Sequence, residues 1–243
     1  MRDKTIKYYD RDREMLCIMN VVDAKIQIPL KKKEYWALHN ITQGKFEHYL
    51  DNTCKNCNYG PVHIEDGRVT RLDLSYPGPA DFKNFRNQLK ELSPEIAKLS
   101  ALVSLDVSGH PIARLPDSIS ELSNLKSLYA SGCKLIELPS SIKKLSNLEE
   151  LCVRINHLDS VDLGGIPLKY LGLSGNHLRT VPEIINLYAS LENLQLEGNP
   201  LVTLPDLDIF NQLEKFSISS RRLDRSSKRM IKRLKKKGVE VFD

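Results

Sequence analysis

The sequence predicts an α/β solenoid: a curved stack with a parallel sheet on its concave side and short helices, 3₁₀ turns and extended segments on its convex side. Two observations lead there. One phrase recurs along the 243-residue chain, complete at Leu191–Pro205 (LENLQLEGNPLVTLP) and again from Leu168, Leu148, Leu125 and Leu102, with frayed copies from Val69 and Leu213. The five starts from Leu102 to Leu191 and the start at Leu213 are separated by 23, 23, 20, 23 and 22 residues, a period that marks a repeat array. The second observation is the spelling of each copy, in which leucines alternate first at strand spacing and then at helical spacing.

Within a copy, the x-Leu-x-Leu portion suits a short strand with one face turned inward. An asparagine follows where the chain must turn. Asn156, Asn176 and Asn199 can bond backbone groups of the neighbouring turn, forming a ladder. His110 and Cys133 hold the same position in two copies, and the histidine is expected to be a weaker step. The Leu-Pro-x-x-Ile-x-x-Leu segments at Leu115–Leu122 and Leu138–Leu145 predict a helical or 3₁₀ turn, with proline where no amide donor is needed. The copy from Leu148 is short and lacks this segment, so Val161–Pro167 should cross in extended form. No copy can bury its leucines alone; stacking supplies the core.

Residues 1–67 precede the repeats and are read as an N-terminal α+β cap. Residues 12–22 carry apolar side chains at mostly helical spacing, Ile26–Ile28 alternates like a strand, and 32–41 reads as a helix. Asp66-Gly67 marks a hairpin whose second arm is the first repeat strand. Residues 68–225 form the repeats. The first is lengthened by a loop over 76–90, whose Phe82 and Phe85 are candidate loop contacts. Residues 226–243 form a closing unit: a helix capped by Ser226 or Ser227, a stop at Gly238, and a last short strand.

The formal net charge is +5, unevenly spread: from Arg221 to Lys237 ten Lys or Arg face one acid, giving that stretch +9 and the remainder −4. The helix is read as a polar end-cap, with nucleic-acid or anionic-surface binding as the alternative function. No run is long and apolar enough for a membrane span, and the N-terminus has no secretory core. Five cysteines with no clustered caps point to a reducing, cytoplasmic setting, or a host cytosol for a pathogen's protein. Cys54-Lys-Asn-Cys57 has the spacing of half a zinc site, with His63, His48 and Cys17 as further candidates. Without a second pair it is read as ordinary thiols, so no metal or cofactor is assigned. No nucleophile–base grouping, phosphate loop or paired acid motif stands out, and the chain is read as no enzyme.

What the repeats do specify is a surface. The outward strand positions place Tyr129, Arg154 and Tyr170 near the centre of the concave face, residue types enriched at interface anchors. Asp106, Lys126, Glu150 and Cys152 fall beside them, as do Lys169, Asn193 and Gln195. Glu149, Glu150, Glu192 and Glu197 are expected to ring the anchors with negative charge and steer a partner bearing a basic patch.

Residues 69–225, about two thirds of the chain, resemble the intracellular leucine-rich repeat family with LPxxIxxL-type repeats, the type seen in Ras-pathway scaffolds and in bacterial and archaeal proteins. The resemblance implies a non-enzymatic scaffold, adaptor or effector that binds a protein through its concave face. It implies nothing about residues 1–67.

Overall fold

A computed structural model describes residues 5–10, 15–20, 25–28, 32–41, 62–75, 88–181, 190–207 and 210–243. Strands β1 (Thr5–Asp10), β2 (Met15–Asn20) and β3 (Lys25–Ile28) form a small antiparallel sheet in that order. The expected helix over 12–22 is therefore a strand. Met15–Met19 is apolar at every position, so neither a period of 2 nor one of 3.6 stands out, and pairing on both sides decides the outcome. Helix α1 spans Lys32–Ile41. The hairpin turns at Asp66-Gly67, both with positive φ, and joins β4 (Val62–Glu65) to β5 (Arg68–Asp73).

From β5 onward one repeat adds one strand: β6 (Ser104–Asp106), β7 (Ser127–Tyr129), β8 (Glu150–Cys152), β9 (Tyr170–Gly172), β10 (Asn193–Gln195) and β11 (Lys215–Ser217). These seven strands pair in parallel and in sequence order. β4 extends the sheet antiparallel at one edge, and β12 (Glu240–Phe242) extends it parallel at the other. Leu72, Leu105, Leu128, Leu151, Leu171, Leu194 and Phe216 are register partners, and all lie within a continuous buried core. On the convex side, 3₁₀ turns at Pro94–Lys98, Asp117–Glu121 and Ser140–Lys144 bury Ile96, Ile119 and Ile142. Val161–Pro167 of the short repeat carries no helix, as its sequence predicts.

Polar ladders hold the turns together. Asn156, Asn176 and Asn199 are buried. Each Oδ1 accepts the amide of the preceding repeat, from Leu135 (3.0 Å), Leu158 (3.1 Å) and Leu178 (3.1 Å). Each Nδ2 donates to carbonyls of its own turn and the one before. His110 is a full step, contrary to the expectation from its type. Its Nε2 donates to Leu74 O at 2.6 Å while Nδ1 accepts the Leu89 amide at 3.3 Å, reproducing the donor–acceptor pattern of an amide. Only the neutral ring can do both, and burial lowers its pKa. A second ladder on the convex edge was not foreseen: Asn124 and Asn147 donate to Ser100 O (2.9 Å) and Ser123 O (2.8 Å) one repeat earlier.

The two ends are closed differently. Glu34 of α1 is fully buried; its Oε1 accepts from Arg68 Nε at 2.7 Å and its Oε2 from the Val69 amide at 2.6 Å. This ties α1 to the first repeat strand. At the other end, helix α2 (Arg225–Lys236) presents Met230, Ile231 and Leu234 to the core. Its cap is Asp224, whose carboxylate accepts the Ser227 amide at 2.7 Å, rather than Ser226 or Ser227. Ser227 is instead buried inside the helix, where its hydroxyl accepts the Leu204 amide at 2.8 Å and pins the cap to the last repeats.

Glu34→Ala should cost about 3 kcal/mol in urea unfolding and speed exchange of the Val69 amide, since it leaves a part-buried guanidinium without its counter-charge and a buried N–H unpaired. Unchanged Val69 exchange would refute the clamp. His110 gives a pH signature. With its folded pKa depressed, the unfolded chain binds the proton first, so stability is full above about pH 6.5 and falls as pH drops below it. His110→Asn should keep the ladder and flatten that slope.

Candidate functional site

The outward positions of β6–β10 form one plate, and strand register fixes which side chains meet. Tyr129, Cys152 and Gly172 lie in one row; Ser127, Glu150 and Tyr170 lie in the next. The two tyrosines are therefore offset by one row. The Tyr129 hydroxyl donates to Glu150, and burial with this bond pushes its pKa up to about 12. The Tyr170 hydroxyl donates to Gln195 Oε1 at 2.9 Å, and burial, with Cys152 alongside, raises its pKa too. Both rings are neutral, half-buried and fixed.

Gly172 makes this arrangement possible. A Cβ there would lie 2.9 Å from Cys152 Sγ and 3.0 Å from the Tyr170 hydroxyl, so only glycine lets Tyr170 reach across its own strand. Cys152 is a free, buried thiol 3.2 Å from Ser131 Oγ. A glycine inside a strand signals such a close approach, and that signal was present in the sequence.

Two of the four acids of the expected ring, Glu149 and Glu197, face cations. Glu149 sits between Lys169 Nζ (2.7 Å) and Lys126 Nζ (3.5 Å), and chiefly the bond from Lys169 holds its carboxyl below the usual range. Glu150 accepts the Tyr129 hydroxyl and keeps its charge, and Glu197 Oε1 lies 3.8 Å from Arg154 Nη2. The acidic character moves toward the N-terminal half instead, where Asp73 and Asp106 are register neighbours. Asp106 Oδ1 accepts the Ser108 amide at 2.8 Å, yet burial raises its pKa.

Arg154, Ser174 and Glu197 hold equivalent places on three successive repeats. Ser174 is only 4% exposed, and its Oγ has no hydrogen-bond partner among the described residues. Arg154 Nε, Glu197 Oε2 and Asn193 Oδ1 share that condition. Buried polar atoms are nearly always paired, so four unmet ones on one plate stand out. Phe82, Phe85, Cys54 and Cys57 lie outside the described residues. On α2, Lys232, Lys235 and Lys236 are exposed, as a solvated cap requires.

A family model for a leucine-rich repeat region matches residues 83–164. Among solved structures, a leucine-rich repeat protein of Leptospira interrogans is 26% identical, with a TM-score of 0.55 over 72% of this chain and 48% of that one. An internalin from Listeria monocytogenes aligns at 20% identity and a TM-score of 0.59, over 72% of this chain and 47% of that one. A plant ice-binding protein aligns at 20% identity and a TM-score of 0.60, over 81% and 73%. The last two likenesses concern the fold alone. No curated protein matches the sequence. The chain contains a leucine-rich repeat region folded as a leucine-rich repeat solenoid, and it spans about half the length of the two bacterial proteins it resembles. Such folds commonly mediate protein–protein contact and are typically non-enzymatic.

One residue beside the plate escaped sequence reasoning. At the turn position where four repeats carry glycine with positive φ (Gly109, Gly132, Gly175, Gly198), the fourth repeat carries Ile155 at φ 53°. A β-branched residue there is strained, and this one is 65% exposed, so burial does not offset the strain. Aligning the repeats column by column exposes the exception. Left-handed strain of about 1–2 kcal/mol, less the extra unfolded-state freedom of glycine, predicts that Ile155→Gly stabilises the protein by about 0.5–1 kcal/mol. Thermal unfolding checks it: a lower midpoint for the variant would show that Ile155 contributes packing instead.

Proposed function

We propose that the chain is a protein-binding module, a scaffold, adaptor or effector, that takes its partner on the concave plate between β6 and β10. The observation that carries this reading is the pair of half-buried tyrosines, Tyr129 and Tyr170, held in place by hydrogen bonds on that plate. Tyr129 and Tyr170 lose little freedom on binding because Glu150, Gln195 and Cys152 hold them beforehand. Ile155 adds an exposed apolar contact at the rim. A basic group on the partner would settle against Asp73, Asp106 and Glu150 at the N-terminal half. The setting we propose is reducing and intracellular, where the Cys152 thiol stays free.

A photo-crosslinking residue at Lys126, with a convex control at Ser141, tests the face, and mass spectrometry identifies what is captured. Against that partner, Tyr129→Ala and Tyr170→Ala should each weaken binding by about 2 kcal/mol, roughly 30-fold, with folding nearly intact. Ile155→Gly should weaken binding even as it stabilises the fold. Capture from Ser141 or from the basic α2 face alone, or normal binding by both tyrosine variants, refutes the concave reading. Selective loss in Phe82→Ala or Phe85→Ala moves the site to the inserted loop.

A further inference from the structure

The turn that follows each ladder residue stacks a second row of side chains: Pro111, Lys134, His157, His177 and Pro200. His157 and His177 are neighbours in that row. Asn156 and Asn176, immediately before them, are buried and bonded on both amide atoms, and the His157 and His177 amides donate to Leu135 O (2.8 Å) and Leu158 O (2.9 Å). Their backbones are therefore fixed, while both imidazoles project into solvent. His157 Nδ1 lies 3.4 Å from His177 Nε2, with ring centroids 5.6 Å apart. The rings thus meet through their nitrogens rather than face to face.

At 3.4 Å, between exposed groups, this contact is longer than an ordinary hydrogen bond and contributes little to stability. The spacing has another meaning. Two imidazole nitrogens about 2.0–2.1 Å from one metal at a tetrahedral angle are about 3.3–3.4 Å apart. We propose that His157 Nδ1 and His177 Nε2 form a two-histidine site for a first-row divalent metal that favours imidazole, zinc or copper(II). Each ring swings slightly about its exposed side-chain bonds to turn its lone pair from the other nitrogen to a shared point. His157 then carries its proton on Nε2 and His177 on Nδ1, so two neutral rings bind without releasing a proton. No third His, Cys, Asp or Glu completes the set among the described residues, so water fills the remaining positions. The solenoid supplies the preorganisation: the ladder holds the two Cα positions before any metal arrives.

Untagged protein with Cys54→Ser and Cys57→Ser, which removes the competing thiol pair, is titrated with zinc and with copper(II) by calorimetry at pH 7.5. One equivalent should bind, with copper(II) tighter than zinc. His157→Gln and His177→Gln should each lose at least tenfold in affinity, and His110→Asn, which alters a buried histidine elsewhere, should lose none. Copper(II) bound by two nitrogens should show their hyperfine splitting in its electron paramagnetic spectrum, halved in extent by either single variant. Failure to saturate at one equivalent, or unchanged affinity in the double variant His157→Gln/His177→Gln, overturns the proposal.

Discussion

Strands β6, β8, β9 and β10 each end in a turn whose inward backbone groups are bonded by a buried polar side chain, His110, Asn156, Asn176 or Asn199. An unmet backbone group of that kind costs about 1–3 kcal/mol, and the cost recurs at each repeat. Asn156, Asn176 and Asn199 answer with one acceptor and two donors apiece. The leucine stack explains why repeats adhere; the ladder explains why they adhere in this register. A hydrophobic core is indifferent to small slips, whereas an amide that accepts from one repeat and donates to another is not. His110 shows that the requirement is for a donor and an acceptor at the right separation, not for asparagine.

That requirement also explains what was legible beforehand. Leucine spacing, ladder asparagines and the convex prolines are local spellings repeated several times, and repetition averages away accident. The seven parallel strands, the 3₁₀ turns and the extended crossing at Val161–Pro167 follow from it. Met15–Met19 occurs once and is apolar throughout, so its period was ambiguous and its pairing with β1 and β3 was not readable. Asp224 displaced the two serines as cap because Ser227 was needed three residues on, where Leu204 required an acceptor. A long-range demand of that sort has no local signature.

The concave face was legible in membership and not in charge. Register places Tyr129, Cys152 and Tyr170 where the alternation puts them. Formal charges suggested an acidic ring, but pairing reduces it: Glu149 goes to Lys126 and Lys169 and Glu197 to Arg154, while Glu150 keeps its charge. Counting carboxylates along a strand overlooks cations one or two strands away in the sheet. The row offset between the tyrosines follows from register, and the room for Tyr170 beside Cys152 comes from Gly172.

The departures from the repeat are not scattered. Cys152, Arg154, Ile155 and His157 all fall in the short fourth repeat, and Gly172, Ser174 and His177 meet them from the fifth. Inward positions of the same two repeats keep the pattern: Leu148, Leu151, Val153, Leu158, Leu168, Leu171, Leu173 and Leu178 are all buried. In a solenoid each repeat is held by its neighbours through those inward positions, the ladder and the strand pairing, so outward positions vary without loosening the stack. Strain at Ile155, desolvation of Ser174 and the close approach at Gly172 are nevertheless local costs that the stack has to offset. Such costs gather where a surface answers to something beyond its own fold. The junction of the fourth and fifth repeats is therefore where contacts with other molecules are to be sought first.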